Sequence, residues 1–237
     1  MAGHYTRFTK VISIVKDLGM KESEMVKTIN ILFKKNGILH ANEIRMGIGI
    51  PDIMVGINTP EDHKSIIDYY ALKIYYLIIN NNIRSVSEAI EKSLLTKRHL
   101  LRCIHLLSNS EIIKVVNDSI SVEGRIDEKI GVNVSIEAKI KNWKEGLLQA
   151  QRYLTFSDYS YLAMPEENFH LVEIDLFEDI GIGLLKITDD FLYEIVPPRK
   201  STICDPLFKY ISISSMLDKI EDSYQSSLSD SHFLSVL

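Results

Sequence analysis

The sequence predicts an α/β fold in which a mixed central sheet is flanked by helices and carries an inserted helical module. Apolar residues alternate with polar ones in segments such as 132–136, which is the period of a β-strand. In segments such as 25–33 they recur every three or four residues, which indicates an amphipathic helix. Glycine is absent between Gly56 and Gly124, and proline between Pro60 and Pro165, which favours a compact helical insert.

Composition places the chain among ordinary globular proteins. Of its 237 residues, 46% are hydrophobic and 25% are charged, which is enough to bury a substantial core. With no apolar run of membrane-spanning length, no signal-peptide segment and only two cysteines, we expect a reducing, cytoplasmic location without membrane contact. The net charge of −5 means that nucleic-acid binding must depend on local basic patches or on metal ions that offset carboxylates.

The first 57 residues predict two helices followed by two strands. The helices cover 5–18 and 22–35, and Asn36-Gly37 ends the second one. Ile44, Met46, Ile48 and Ile50 then alternate in a first strand that opens at Glu43, and Pro51-Asp52 begins a second strand. Glu43 is therefore a candidate third carboxylate, although a glutamate in solvent at a strand edge is an equally good interpretation.

The middle of the chain predicts three helices and a hairpin. The helices are expected at 62–80, at 85–94 and from Thr96 onward, and the hairpin at 112–122 with a polar turn at 117–119. This order is that of a winged helix-turn-helix module. We therefore predict an inserted DNA-binding module at 59–127 and a core formed by 1–58 and 128–237.

The third helix of the insert has one apolar and one basic face. Five basic residues and one acid lie in 92–114, which gives a local excess of positive charge that can bind phosphate groups. The predicted DNA-binding residues are Lys97, Arg98, Arg102, His105 and Lys114. The alternative for such a helix is an ordinary solvated face.

The segment 131–153 combines a strand with a polar helix. Its period predicts a half-buried strand whose open face carries Glu137 and Lys139. Asn142 and Glu145 predict a capping-box-like helix start, and Gln149 and Tyr153 then share one helix face. Beyond this helix we expect strands at 159–164, 184–187 and 192–196, and helices at 166–179 and 213–224.

Three motifs in this order, G-x-x-D ending at Asp52, E-x-K at 137–139 and Q-x-x-x-Y at 149–153, resemble the PD-(D/E)xK nuclease superfamily. The resemblance is to its restriction-endonuclease-like and recombination-exonuclease-like branches, and it covers roughly 23–57 and 130–196. It implies a restriction-endonuclease-like sheet, Mg²⁺- or Mn²⁺-dependent cleavage of DNA, and a homodimer. Asp52 and Glu137 are 85 residues apart, more than such nucleases usually show. Either the helical module is inserted between them, which we adopt, or another acid such as Asp118 or Asp127 takes the place of Asp52.

Residue roles follow from the resemblance and from the chemistry of phosphodiester cleavage. The metal ligands would be Asp52, Glu137 and the Ala138 carbonyl, with Glu43 as a further candidate, because hard cations take oxygen ligands. Lys139 would lie at the nucleophile, and Gln149 and Tyr153 would orient catalytic groups or DNA. The competing interpretation is an exposed Glu–Lys pair beside a tyrosine that only packs.

Three functions are open from the sequence. The first is a metal-dependent DNA endonuclease whose insert grips DNA. The second is a DNA-binding regulator with a non-catalytic nuclease-like core. The third is a junction-resolving or end-processing nuclease.

Overall fold

The computed structural model describes residues 21–59, 65–124, 126, 130–188 and 191–233, with side chains as far as 220. The predicted α/β class is confirmed. The strands are β1 (His40–Asn42), β2 (Ile53–Ile57), β3 (Ile113–Val116), β4 (Ser119–Val122), β5 (Val132–Ala138), β6 (Tyr159–Pro165), β7 (Gly183–Ile187) and β8 (Leu192–Val196). The α-helices are α1 (Glu22–Lys35), α2 (Tyr69–Asn80), α3 (Val86–Lys92), α4 (Lys97–Asn109), α5 (Trp143–Tyr153), α6 (Ile174–Ile180) and α7 (Pro206–Phe233).

The chain divides into two compact units, with boundaries after Ile57, Gly131 and Cys204. The sheet unit holds the residues up to Ile57 together with Val132–Cys204. The helical unit holds Asn58–Gly131 and the residues from Asp205 onward. Because Ile57 pairs directly with Val132, the segment between them leaves and re-enters the sheet unit on adjacent strands.

A six-stranded sheet in the order β1-β2-β5-β6-β7-β8 forms the sheet unit within the described residues. The pairs β1/β2, β2/β5 and β7/β8 are antiparallel, whereas β5/β6 and β6/β7 are parallel. The sheet is therefore mixed, as predicted, and β5 lies at the change from antiparallel to parallel pairing.

Helices cover both faces of this sheet around β5. On one face α1 contributes Met25, Ile29 and Phe33 to a core that includes Ile53 and Ile136. On the other face α5 and α6 pack Trp143, Leu147, Ala150 and Phe177 against residues of β6, β7 and β8. Helix α5 also lies against β5, where Tyr153 bonds to Glu137. The strand β5 is therefore buried on both faces, and the predicted half-exposed strand with an open face for Glu137 and Lys139 is wrong.

Three further predictions in the sheet unit need correction. The strand expected over Ile44–Ile50 is a loop, because β1 ends at Asn42 and Glu43 has a left-handed φ of 51°. The single helix expected at 166–179 is a 3₁₀-helix at Glu166–Leu171 followed by α6. Asn142 precedes α5 without capping its backbone, since its side chain donates instead to Glu145 Oε2 at 2.6 Å.

The helical unit has the predicted order of three helices and a hairpin. Asp68 caps α2 by accepting the Ala71 N–H, so this helix begins later than expected from the sequence. Ser85 and Thr96 cap α3 and α4 in the same way, as predicted. The strands β3 and β4 then pair through a tight turn at Asn117, whose φ is 55°.

The last helix belongs to the helical unit, whereas the sequence predicted that 205–237 forms part of the core. The reason is packing: the Phe208 ring of α7 stacks on Tyr69 of α2 at 4.7 Å, and the Asp218 carboxylate accepts the Ser65 hydroxyl. Helix α7 is also longer than the predicted 213–224. The predicted helix at 5–18 lies outside the described residues. Within the described ranges, no helix is both long enough and apolar enough to span a membrane.

Candidate active site

Asp52 and Glu137 face each other across the antiparallel strands β2 and β5. The register pairs Ile53 with Ile136, and one further step places Asp52 opposite Glu137. Residues directly opposite each other point to the same side of the sheet, with Cβ atoms roughly 4.5–5.5 Å apart. Asp52 Oδ2 also accepts the Ala138 N–H at 2.8 Å, which holds this carboxylate beside β5. The two acids that were predicted from separate motifs therefore lie together on one face of the sheet.

Both oxygens of the Glu137 carboxylate have partners. Lys139 Nζ lies 2.8 Å from Oε1, and the Tyr153 hydroxyl lies 2.7 Å from Oε2. The same hydroxyl lies 3.0 Å from the Ile50 carbonyl, so its single proton is shared between two acceptors. Only 2% of Glu137 is exposed. An exposed Glu–Lys pair, which was the competing interpretation of the E-x-K motif, does not describe this arrangement.

Burial raises the pKa of both carboxyl groups. For Glu137, burial and the charge of Asp52 outweigh the hydrogen bonds from Lys139 and Tyr153, which act in the opposite direction. For Asp52, burial outweighs the Ala138 N–H bond and the charge of Lys139, so this pKa also lies above its ordinary value. Two buried acids that are both costly to ionise form a site that a cation stabilises.

The two other polar groups of the site hold their protons. Burial alone lowers the pKa of Lys139, but the hydrogen bond and charge of Glu137, with Glu22 and Asp52, raise it above its ordinary value. Burial and the bond to Glu137 raise the pKa of Tyr153 far above its ordinary value. Lys139 is therefore a cation in this arrangement, and the Tyr153 hydroxyl is a donor.

Gly146 and Glu22 lie beside the Lys139 side chain, and the sequence interpretation missed both. A Cβ atom at Gly146 would lie 2.5 Å from Leu162 Cδ1 and 2.7 Å from Lys139 Cγ, so only glycine lets α5 approach so closely. Glu22 opens α1 and places Oε2 3.9 Å from Lys139 Nζ. A glycine inside a helical pattern was the available signal for the first. For Glu22 the only signal in the sequence was an acidic residue at the start of a predicted helix.

The loop between β1 and β2 packs on Tyr153. A Cβ atom at Gly49 would lie 2.6 Å from Tyr153 Cε1, so glycine allows the loop backbone to lie directly on the ring. Glu43, the predicted third carboxylate, is exposed, and its N–H donates to the Asp52 carbonyl at 3.3 Å. The charge of Glu43 contributes to the raised pKa of Asp52, so this side chain lies near the site.

Gln149 lies on the inner side of α5, one turn before Tyr153. Its Oε1 atom is buried and has no hydrogen-bond partner within the described structure. The side chain contrasts with Tyr153, which is 1% exposed and bonded to Glu137. Tyr153 thus contacts the Glu137 carboxylate directly. Gln149, on the same helix face, has a buried amide oxygen that can accept a hydrogen bond.

The oxygen donors of this site suit a hard divalent cation. Asp52 and Glu137 lie opposite each other at the ends of two paired strands, and Mg²⁺ is commonly bound through one or two carboxylates. The Ala138 carbonyl stays a predicted ligand, since the contact observed at this residue is that of its N–H with Asp52. No group of three or more His, Cys, Asp or Glu side chains is placed to hold a metal in the described part of the chain. The site therefore fits an ion that Asp52 and Glu137 would hold, with water or substrate as its other ligands. Glu43 would not be one of its ligands.

The predicted DNA-binding residues lie on the exposed surface of the helical unit. Those on α4 and β3 are Lys97, Arg98, Arg102, His105 and Lys114, and all five are exposed. The opposite face of α4 is buried through Leu100, Cys103, Ile104 and Leu107, as predicted. An open groove of about 370 Å³ is lined by Thr96, Arg98, His99 and Arg102. Arg102 also lies 3.6 Å from Asp68, so one of these cations is partly offset.

Of the two alternative acids, only Asp118 lies within the described residues, and its carboxylate is bonded within the helical unit. Asp118 lies in the turn of the β3–β4 hairpin, where its carboxylate accepts the Ser87 N–H and hydroxyl at 3.0 Å each. That position belongs to the helical unit, whereas Glu137 belongs to the sheet unit. Asp127 lies outside the described residues.

Comparisons with known proteins assign no family to the chain. No protein-family model and no curated protein matches it. A solved structure that aligns with it is the SPO1766 protein of unknown function from Silicibacter pomeroyi, with a TM-score of 0.45. The sequences are 11% identical, and the alignment covers 88% of this chain and 92% of the other.

Proposed function

We propose that the protein is a divalent-metal-dependent deoxyribonuclease whose catalytic residues lie at the ends of β2 and β5. The observation that carries this proposal is the placement of Asp52 opposite Glu137, with Lys139 Nζ 2.8 Å from the Glu137 carboxylate. A structural ion pair explains a buried Glu–Lys contact. It gives no reason for a second acid, itself costly to ionise, beside that contact.

Each residue then has a distinct task. A Mg²⁺ or Mn²⁺ ion bound by Asp52 and Glu137 would lower the pKa of an attacking water and stabilise charge on the phosphate. Lys139, held as a cation, stabilises negative charge that develops near Glu137. Tyr153 fixes the orientation of the Glu137 carboxylate through its hydroxyl, and Gln149 offers a buried acceptor.

The basic face of α4 supports DNA as the substrate. Lys97, Arg98, Arg102 and His105 are exposed along one helix, and the first turn of that helix holds no acidic residue. Lysine and arginine side chains in such a row neutralise phosphates and release counterions. The same face is the specific observation that favours the second candidate, a regulator that binds DNA without cutting it.

A cleavage assay separates the two candidates. Supercoiled, linear, single-stranded and branched DNA are each incubated with the full-length protein and Mg²⁺, Mn²⁺ or a chelator. We expect cleavage that requires the ion and falls by several orders of magnitude in Glu137→Gln. The choice among substrates distinguishes an endonuclease from a junction-resolving or end-processing enzyme.

Glu194→Gln is the matched control for that substitution. Glu194 is also a strand glutamate that accepts a tyrosine hydroxyl, from Tyr161 at 2.7 Å, but it lies on β8. We expect this variant to cleave like the wild type. DNA binding without ion-dependent cleavage on any substrate contradicts the nuclease proposal and favours the regulator.

A further inference from the structure

Lys139 lies between two carboxylates on different elements of the sheet unit. Its Nζ atom is 2.8 Å from Glu137 Oε1 and 3.9 Å from Glu22 Oε2. The lysine side chain is 13% exposed, whereas that of Glu22 is 50% exposed. One ammonium group therefore has a buried partner that it contacts and a more exposed partner about one ångström farther away.

The contact with Glu137 occupies an oxygen that the proposed function requires. Oε1 is bonded to Lys139 and Oε2 to Tyr153, while Asp52 Oδ2 accepts the Ala138 N–H. A divalent cation that approaches Glu137 meets the positive charge of Lys139 at hydrogen-bond distance. The ammonium group must move before a cation can share that oxygen without strong repulsion.

The surroundings limit where Lys139 can go. Gly146 lies so close to Lys139 that a Cβ atom there would be 2.7 Å from Lys139 Cγ, so the movement is confined to the flexible outer part of the side chain. A largely buried ammonium group is costly without a carboxylate partner. Glu22 is the other carboxylate within 4 Å of Nζ in the described residues, and its Oε1 atom lies 3.5 Å from the Ile140 N–H.

Resting on the proposed function, we propose that Glu22 is a positioning residue that receives the Lys139 ammonium group when a divalent cation binds Glu137. Lys139 then has two positions, one on Glu137 without the cation and one toward Glu22 with it. In the second position Lys139 remains beside the site, where its charge can act on the phosphate. Glu22 acts through Lys139 and does not contact the cation.

A double-mutant cycle on cation affinity tests this role. Mn²⁺ binding to the full-length protein is measured by titration calorimetry for the wild type, Glu22→Gln, Lys139→Met and the double variant. We expect Lys139→Met to bind Mn²⁺ at least about tenfold more tightly, because an internal competitor is removed. Glu22→Gln alone binds about threefold to fivefold more weakly, since a partly exposed ion pair is worth up to about 1 kcal/mol. In the Lys139→Met background, the same change alters affinity by less than about twofold.

Two further variants separate this role from general effects. Glu22→Asp keeps the negative charge at the start of α1, which supports the helix, but withdraws the carboxylate from Lys139. We expect its Mn²⁺ affinity to match that of Glu22→Gln. Glu173→Gln removes the acid of an exposed pair with Lys144, at 3.6 Å in the same unit, and we expect it to leave Mn²⁺ affinity unchanged.

The outcomes distinguish the inference from the proposed function. If Glu22→Gln weakens Mn²⁺ binding equally with and without Lys139, then Glu22 contacts the cation or acts through its charge alone, and the inference is wrong. An unchanged affinity in Glu22→Gln also overturns it, while ion-dependent cleavage by the wild type still supports the nuclease. If the wild type neither binds Mn²⁺ nor cleaves DNA, the proposed function fails, and the inference fails with it.

Discussion

Replacing Asp52 by Asn is expected to stabilise the metal-free protein and to weaken its stabilisation by metal. The asparagine carbonyl can still accept the Ala138 N–H, so the bond at 2.8 Å is kept while the charge is lost. Two like charges about 5 Å apart repel by roughly 3 kcal/mol at an effective dielectric constant near 20. Lys139 offsets much of this repulsion. We therefore expect the free energy of unfolding to rise by about 1 kcal/mol in the variant when a chelator is present.

The pH dependence of stability has a definite sign. Burial raises the pKa of Asp52 above 3.8 and that of Glu137 above 4.5 in the folded chain. As the pH rises from these ordinary values, the unfolded chain loses its protons first, so the free energy of unfolding falls until the raised pKa values are passed. We expect Asp52→Asn to show a smaller fall over this range than the wild type.

Addition of Mn²⁺ is expected to reverse the order of stability. A ligand that binds only the folded state at 100 times its Kd adds about 2.7 kcal/mol. The wild type should gain this amount and Asp52→Asn much less, as measured by urea unfolding with chelator and with Mn²⁺. Asp158→Asn is the matched control, because Asp158 is also buried and accepts a backbone N–H, that of Asn133 at 2.9 Å.

Two results would refute this reasoning. The first is an Asp52→Asn variant that is more than about 1 kcal/mol less stable than the wild type in chelator, since the charge of Asp52 would then stabilise the fold. The second is an equal stabilisation of both proteins by Mn²⁺, which would remove Asp52 from the cation site. We expect Asp158→Asn to gain as much from Mn²⁺ as the wild type, whatever its stability in chelator.

Three other predictions concern the surroundings of the site. Gly146→Ala adds a Cβ atom 2.7 Å from the Lys139 side chain, so we expect slower cleavage and a loss of about 1–3 kcal/mol of stability, despite the better helix propensity of alanine. Arg98→Ala with Arg102→Ala is expected to reduce the slope of log DNA affinity against log salt by nearly two, with cleavage at saturating DNA retained. Deleting 58–131 and the residues after 204, with a two-residue Asn-Gly turn after Ile57, is expected to leave a folded sheet unit that binds Mn²⁺ but binds DNA poorly.

A control applies to the first of these predictions, and a contradicting result applies to each of the other two. Leu148→Ala changes an exposed position of the same helix as Gly146, and we expect it to leave cleavage unchanged. An unchanged salt slope in the double arginine variant would mean that this face of α4 is only solvated. A shortened chain that unfolds would mean that the sheet unit depends on the helical unit for its stability.

The central strand shows what the sequence could and could not predict. The alternation around Val134 and Ile136 correctly predicted a strand, because side chains of a strand point alternately to its two faces. The same alternation predicted an open face, since Asn133, Ser135 and Glu137 are polar. The structure buries these three residues as well, because α5 and the residues that follow it cover that face: Tyr153 bonds to Glu137, Phe156 to Asn133 and Ser157 to Ser135. A period in one segment carries no information about what a distant helix covers.

The loop before Asp52 shows a case in which an alternating pattern predicted a strand that does not form. Ile44, Met46, Ile48 and Ile50 alternate with other residues as in a strand, but only the first two are buried. The segment forms a turn, in which the Met46 N–H donates to the Gly49 carbonyl and Gly47 has a φ of 74°. Because the chain turns there, Ile48 and Ile50 do not continue the buried face of Ile44 and Met46. Glycines at 47 and 49 within such an alternating segment favour a bend. The contact of Gly49 with Tyr153, which lies far along the chain, could not be predicted from spacing.

The separation of Asp52 and Glu137 in the sequence is compatible with one site because strand register, and not chain distance, brings them together. The paired residues run from Ile57 and Val132, where the chain leaves and re-enters the sheet unit, to Ile53 and Ile136, beside the two acids. At about 3.4 Å per residue, roughly 14 Å of paired strand separates those ends. The entropy of closing a loop rises by only about 0.6 kcal/mol for each doubling of its length, so a long segment can stand where a short turn would suffice. The site therefore depends on how β2 pairs with β5, and a change that shifts this register by one residue would turn Asp52 and Glu137 to opposite faces.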